Sequence, residues 1–154
     1  MSIAKRINEV TCHLSKDCRL VAVSKFQPIP LLQEAYNCGQ RIFGESKVQE
    51  LVEKEAALPK DIEWHFIGHL QTNKIKYLLG KIELYHSCDR DDLANEIAKQ
   101  SVKRGIVSNV LLQINIGDEE SKGGYSFEQA KDAFLRVNAI DGLRVKGFMA
   151  MLPK

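Results

Sequence analysis

The stretch Leu20-Val-Ala-Val-Ser-Lys25, together with Pro28-Ile-Pro-Leu-Leu-Gln-Glu-Ala-Tyr-Asn-Cys38 after it, decides the fold. The first part is a short apolar run, which is typical of a strand buried on both faces. The second part has prolines near its start and Gly39 just past its end, the asymmetry expected of a helix. A strand followed directly by a helix is the repeating unit of α/β folds.

The same alternation of apolar runs and amphipathic stretches continues along the 154 residues. The predicted strands are residues 19–24, 41–43, 63–68, 83–86, 109–116 and 143–149. The predicted helices are residues 3–15, 28–38, 46–58, 72–79, 89–104 and 126–139, the last opened by a capping box from Ser126 to Gln129. Strands separated by helices pair in parallel through right-handed crossovers.

Two architectures fit this order, a doubly wound open sheet and a (β/α)₈ TIM-type barrel. The sequence has neither G-x-G-x-x-G after the first strand nor G-x-x-x-x-G-K-[ST], so the common nucleotide-binding open sheets lose support. A complete barrel has eight strands in about 250 residues. We therefore expect residues 1–154 to form a single domain, an incomplete barrel with about six of eight β/α units.

Composition excludes several classes of protein. The net charge is +2 and the basic residues are spread out, so no nucleic-acid footprint is visible. The sequence has no secretory signal and no apolar run long enough for a membrane span. No two cysteines have Cys-x-x-Cys spacing, which favours reduced thiols in a cytoplasmic protein; they are Cys12, Cys18, Cys38 and Cys88.

Lys25 is the leading candidate for chemistry, because functional residues of barrels lie where strands end and βα loops begin. The apolar run before it predicts partial desolvation, which lowers a lysine pKa and frees the amine to attack an aldehyde. The alternative is a solvated lysine that caps a strand end. Other strand ends carry Ser46, His86, Asn115 and Met149.

Further polar residues have structural interpretations that we favour over functional ones. The histidines His65, His69 and His86 suggest a metal, but 63–68 is a predicted strand, so hydrogen bonding is the better interpretation. The possible acids or bases are Glu45 and Asp89, read as helix-start carboxylates, and Glu119, read as a solvated loop residue. The polar loop 117–124 is either functional or simply exposed.

Six ordered segments give the chain a close resemblance to the pyridoxal phosphate homeostasis protein family, which is related to the barrel domain of alanine racemase. The segments, which cover roughly residues 19 to 151, are 20–25, 43–50, 64–74, 86–90, 113–122 and 147–150. The most distinctive is Trp64-His-Phe-Ile-Gly68, followed by Leu70-Gln-Thr-Asn-Lys74.

The resemblance implies a fold-type III barrel that holds pyridoxal 5′-phosphate (PLP) as a Schiff base on Lys25. Ser46, His86, Asn115 and Met149 complete the predicted cofactor site, with no catalytic residue and no metal ligand. The implied role is intracellular PLP (vitamin B6) homeostasis, without robust catalysis. PLP-dependent apo-enzymes are possible recipients, and we expect a monomer or weak oligomer that binds neither nucleic acid nor membrane.

The chain departs from the family pattern at several positions. Ser46 stands where the family usually has Asn, His69 where it has Pro, and Thr72 where it has Ser. The family takes its PLP phosphate grip from a C-terminal part that we expect this chain to lack. Two alternatives therefore stay open: a PLP-dependent racemase-like enzyme, and a remnant with weak or no cofactor binding.

Overall fold

The strands of this chain form one parallel sheet in a computed structural model that describes residues 2–116 and 123–152. In chain order they are β1 (Ala22–Val23), β2 (Ile42–Glu45), β3 (Glu63–Phe66), β4 (Leu84–Cys88), β5 (Ser108–Asn115), β6 (Tyr125–Ser126) and β7 (Leu143–Met149). The sheet runs in the order β1-β2-β3-β4-β5, with β7 beside β5. The short strand β6 pairs with the last residues of β5.

This strand order is that of successive β/α units in a barrel, and it confirms the predicted incomplete barrel. The parallel crossovers place every strand's carboxyl end at the same edge of the sheet. Within the described residues β1 pairs with β2 alone and β7 with β5 alone. No pairing there joins β7 to β1, so the sheet is open on that side.

Helices connect the strands largely where the sequence pattern predicts them. They are α1 (Ile3–Thr11), α2 (Ile29–Asn37), α3 (Val48–Ala57), α4 (Asp91–Lys103) and α5 (Ala130–Asn138). The first is capped by Ser2, whose hydroxyl accepts from the Lys5 amide, and α4 begins with two aspartates and ends on Lys103. None of the helices in the described parts of the chain is both long and apolar enough to cross a bilayer.

Four elements differ most from their predictions. The predicted helix 3–15 ends at Thr11, because the chain then makes i→i+3 turns such as His13 N–H to Val10 O. The predicted helix 72–79 is a 3₁₀ helix, Thr72–Tyr77, because the chain here makes i→i+3 bonds such as Leu78 N–H to Ile75 O. The predicted helix 126–139 begins only at Ala130, since Ser126 pairs in β6, although its hydroxyl still accepts from the Gln129 amide. The predicted strand 19–24 shortens to two paired residues.

Side chains alternate between two faces of the sheet. On the face covered by helices, Phe43 and Trp64 stack with ring centroids 5.8 Å apart, and Leu51 of α3 is fully buried in the same core. On the opposite face, here called the inner face, a Cβ added to Gly44 would lie 3.1 Å from the side chains of Val21 and Ile67. The inner face therefore packs its own small layer of side chains beneath the strand ends.

Candidate functional site

The predicted site residues lie at the carboxyl edge of the sheet. Ser46 directly follows the end of β2, Lys25 lies two residues after the end of β1, and Asn115 and Met149 are the last residues of β5 and β7. His86 lies inside β4, two residues before its end. The parallel topology thus brings all five to one side of the molecule.

Lys25 occupies the apex of a tight turn. The Gln27 N–H donates to the Ser24 carbonyl at 3.0 Å, which closes a four-residue turn around Lys25 and Phe26. Phe26 has a φ of 65° and is the only non-glycine residue with positive φ in the part of the chain that the structure describes. Positive φ at the third position but not at the second, Lys25, is the pattern of a type II turn, where glycine is usual at the third position.

The Lys25 side chain is exposed, so the predicted partial burial is wrong. The apolar run that suggested burial is itself open to solvent, and Val23 is 56% exposed. The physical reason is the open side of the sheet, because the described residues give β1 a single neighbouring strand.

A buried ionic cluster lies directly beneath this turn. Lys54 of α3 has a side chain only 5% exposed, and its ammonium donates to the Ser24 carbonyl at 2.8 Å. The same ammonium contacts Glu45 Oε2 at 3.0 Å and Glu50 Oε2 at 2.9 Å. Its three donors are therefore all used. We refer to Glu45, Glu50 and Lys54 as the clamp.

Glu45 contradicts the expectation of a helix-start carboxylate. It is the last residue of β2, has no solvent exposure, and accepts a hydrogen bond from the Ser24 hydroxyl. Burial raises the pKa of Glu45, while Ser24 and Lys54 oppose that rise. The sequence pattern missed this role because α3 begins only at Val48, three residues later.

Glu50 links the clamp to the far side of the turn. Its Oε2 accepts the Phe26 N–H at 2.8 Å as well as the Lys54 ammonium. Burial acts to raise the pKa of Glu50, but Lys54 and the Phe26 amide outweigh it, and the net shift is downward. Glu50 and Lys54 are four residues apart on a helix, a spacing that the sequence displays and that predicts contact.

Two imidazoles, buried His65 and half-buried His86, form a second polar pair on the inner face. His65 Nδ1 lies 2.8 Å from His86 Nε2, which confirms a hydrogen-bonding role for both. His65 is 3% exposed, and burial lowers its pKa to about 4, with smaller contributions from His86 and Arg19. Burial also lowers the pKa of His86. Both rings are therefore neutral near neutral pH.

His69 and Asp89 meet at the carboxyl edge of the sheet, in the loops that follow β3 and β4. His69 Nδ1 lies 3.4 Å from Asp89 Oδ2, and Arg90 donates to Asp89 at 2.6 Å. Arg90 also donates to the Leu70 carbonyl at 2.8 Å, which ties the two loops together. Asp89 is thus an anchoring carboxylate two residues before α4, which begins at Asp91. Among the described residues no group of three or more His, Cys, Asp or Glu side chains could hold a metal ion.

Ser46 is held by close backbone packing. A Cβ added to Gly68 would lie 2.4 Å from the Ser46 carbonyl oxygen, so only glycine fits opposite Ser46. Ser46 also lines a cavity of about 630 Å³ between α3 and the 3₁₀ helix, together with Lys47, His69 and Lys74. Lys25 does not line this cavity. The candidate Glu119 and most of the predicted loop 117–124 lie outside the described residues.

Comparison with known proteins places this geometry in context. The family model described as alanine racemase, N-terminal domain, matches residues 1–154. A pyridoxal phosphate homeostasis protein of Aquifex aeolicus is 42% identical over 99% of this chain and 72% of its own length. Proteins of the same name from Helicobacter pylori and Schizosaccharomyces pombe are 43% and 39% identical over 86% of the chain, which spans 61% and 56% of them.

Solved structures with a similar fold include a protein that was solved both without and with PLP. PipY of Synechococcus elongatus, solved without PLP and with PLP bound, superposes with TM-scores of 0.91 and 0.87 at 30% identity. The two superpositions cover 99% of this chain and 72% and 71% of PipY. Alanine racemase from Bartonella henselae has a TM-score of 0.80 at 13% identity over 43% of its length, which shows a shared fold alone.

Proposed function

The chain belongs to the pyridoxal phosphate homeostasis proteins, within the alanine racemase N-terminal domain family, and on that premise we propose that it binds PLP. In this proposal the amine of Lys25 carries the cofactor as a Schiff base, and the protein serves cytoplasmic vitamin B6 homeostasis. The recipients would be PLP-dependent apo-enzymes. The chain spans 56 to 72% of the length of the relatives described above, so the homeostasis role of the whole proteins is part of this proposal.

The observation that carries the proposal is the exposed amine of Lys25 on a rigidly held turn at the carboxyl edge of the sheet. When bound, PLP supplies an electrophilic aldehyde and an electron-withdrawing ring. Lys25 would hold the cofactor through its side-chain nitrogen, which would replace the aldehyde oxygen as that oxygen leaves as water with the two hydrogens of the amine. Lys54 is unsuited to that reaction, because its ammonium is buried among three acceptors.

The remaining polar groups at this edge fit the chemistry of the pyridine ring. Ser46 offers a hydroxyl, the His86 ring is neutral, and Asn115 offers an amide. Met149 adds an apolar thioether at the end of β7. In our proposal these four side chains contact the ring while Lys25 holds the aldehyde carbon, and the phosphate grip is not assigned to any of them.

A non-catalytic role is favoured by the relatives, which are named for homeostasis rather than for an enzymatic reaction. Exchange of an amino acid's α-proton in the presence of chain and PLP would support the racemase-like alternative.

The test is to incubate the purified chain with PLP, reduce with borohydride and map the modified lysine by mass spectrometry. We expect one equivalent at Lys25, lost in Lys25→Ala and retained in Lys47→Ala, which removes the neighbouring exposed lysine. Scattered modification, or none, would contradict the proposal. That result would favour the remnant with weak or no cofactor binding.

A further inference from the structure

The backbone on both sides of Lys25 is gripped by side chains to which the proposed function assigns no role. Before Lys25, the Ser24 carbonyl accepts from the Lys54 ammonium as well as from the Gln27 amide. After Lys25, the Phe26 N–H donates to Glu50. Two members of the clamp thus hold the first and third residues of the turn, and Lys25 lies between them.

The contact from Glu50 discriminates between turn types. The Phe26 N–H belongs to the Lys25–Phe26 peptide, and type I and type II turns differ mainly by a flip of that central peptide. A flip would direct the Lys25 carbonyl oxygen toward the Glu50 carboxylate in place of the N–H. Oxygen facing carboxylate is electrostatically unfavourable, so Glu50 selects the type II form.

That selection works against the intrinsic preference of Phe26. A φ of 65° is unfavourable for any residue with a Cβ, and it is more so for a bulky aromatic one. The Phe26 ring is 68% exposed, so core packing does not hold it there, although the Lys47 ammonium lies 4.8 Å from its centroid. The hydrogen bond to the Glu50 carboxylate is charge-assisted, and it stabilises this backbone conformation at the Phe26 amide itself.

The clamp is itself rigid. Glu45 is completely buried on β2, and it is fixed by the Ser24 hydroxyl and by Lys54. Lys54 and Glu50 lie on one face of α3, so strand β2, helix α3 and the turn share a single network of charge-assisted hydrogen bonds. The turn is therefore anchored to the body of the domain.

We propose that Glu50 and Lys54, seated on Glu45, are positioning residues that hold the Ser24–Gln27 turn in its type II form and thereby preorganise the Lys25 amine for attack on the aldehyde carbon. The identity of the aldehyde rests on the proposed function. The conformational role of the clamp does not. Preorganisation of this kind raises the rate of attachment by removing the cost of ordering the reacting group.

The experiment measures how fast PLP becomes attached to Lys25, by borohydride quench and mass spectrometry, in folded wild type and Glu50→Ala. We expect attachment to slow about tenfold, equivalent to about 1.4 kcal/mol of turn stability, with the same final stoichiometry. In Phe26→Gly/Glu50→Ala the rate should return to within about threefold of wild type, because glycine favours positive φ without help. Glu53→Ala removes an exposed carboxylate from the same helix and should leave the rate unchanged.

An unchanged rate in Glu50→Ala would overturn the clamp and leave the proposed function standing. A slower rate that glycine at position 26 fails to restore would also overturn it, since a general loss of structure would then be responsible. If the wild type itself shows no attachment at Lys25, the proposed function fails. Hydrogen exchange of the Phe26 amide then tests the conformational role of the clamp on its own. That exchange should be faster in Glu50→Ala than in wild type and Glu53→Ala, and equal rates would refute the clamp.

Discussion

The helix-covered face and the inner face of the same sheet each bury a polar cluster, yet only the first cluster is ionic. Glu45 and Lys54 form a buried ion pair where α3 covers β2. His65 and His86 form a neutral pair on the inner face, and burial is the largest cause of their lowered pKa values. Helix α3 carries the Lys54 ammonium to the helix-covered face, whereas His65 and His86 have only each other as a side-chain hydrogen-bond partner between their rings.

The difference shows how one sheet can bury polar groups in two states of charge. An ion inside a protein is tolerated where a counter-ion and further hydrogen bonds meet it, and Lys54 has all three of its donors satisfied. An imidazole without a counter-ion loses its proton instead. The predictions below test each half of this comparison.

The largest effect should follow removal of the cation from the ionic cluster. We expect Lys54→Met to lower the free energy of unfolding by about 3–5 kcal/mol, because it leaves Glu45 buried without its counter-ion. Urea denaturation measures the change. Lys60→Met is the matched control, since Lys60 pairs with Glu55 through a side chain that is 72% exposed, and it should cost less than about 1 kcal/mol. Equal losses in the two variants would refute the ionic half of the comparison.

The next effect concerns the neutral pair and has a defined pH dependence. Folded His65 takes up a proton only near pH 4, whereas an unfolded histidine does so near 6.5. Between those values the unfolded chain binds more protons, so stability is complete above pH 6.5 and is lost as the pH falls toward 4. We expect this to remove roughly 2–3 kcal/mol across that range.

The measurement is urea unfolding at several pH values for wild type and His65→Gln, which cannot titrate at this position. The wild-type free energy of unfolding should fall more steeply with decreasing pH than that of the variant. Parallel slopes would mean that His65 is already protonated, or solvated, in the folded state.

Much of the fold follows from the sequence, because the apolar period of two in strands and of 3.6 in helices can be seen within a single segment. The run 143–149 and the strand Leu143–Met149 agree in both bounds, since buried Leu143 and Val145 alternate with exposed Arg144 and Lys146, the period of two that marks a half-buried strand. Strand Tyr125–Ser126 was not predicted, because two residues carry no periodicity and their pairing with β5 is set by tertiary structure. The length of β1 was overestimated for the same reason.

The site was predictable where it depends on strand ends and unpredictable where it depends on contacts between elements. Lys25 follows from its place after the first strand, although its role and those of the other proposed ligands stay predictions. The contact of Glu45 with Lys54 joins a strand to a helix nine residues later, and that of His65 with His86 joins two strands. No spacing rule links such pairs, whereas Glu50 and Lys54 share a helix face.

The smallest effect should come from an exposed charge near the neutral pair. Arg19 lies 3.3 Å from Glu63, but the two side chains are 62% and 38% exposed, so Arg19→Ala should change the free energy of unfolding by less than about 0.5 kcal/mol. The positive charge of Arg19 is nevertheless one cause of the low pKa of His65, so that pKa should rise in the variant. An NMR titration of the His65 ring measures it, with Arg6→Ala of α1 as control. A pKa unmoved by Arg19→Ala would assign the shift to burial and the neighbouring imidazole alone, which would make the inner face still more independent of surface charge.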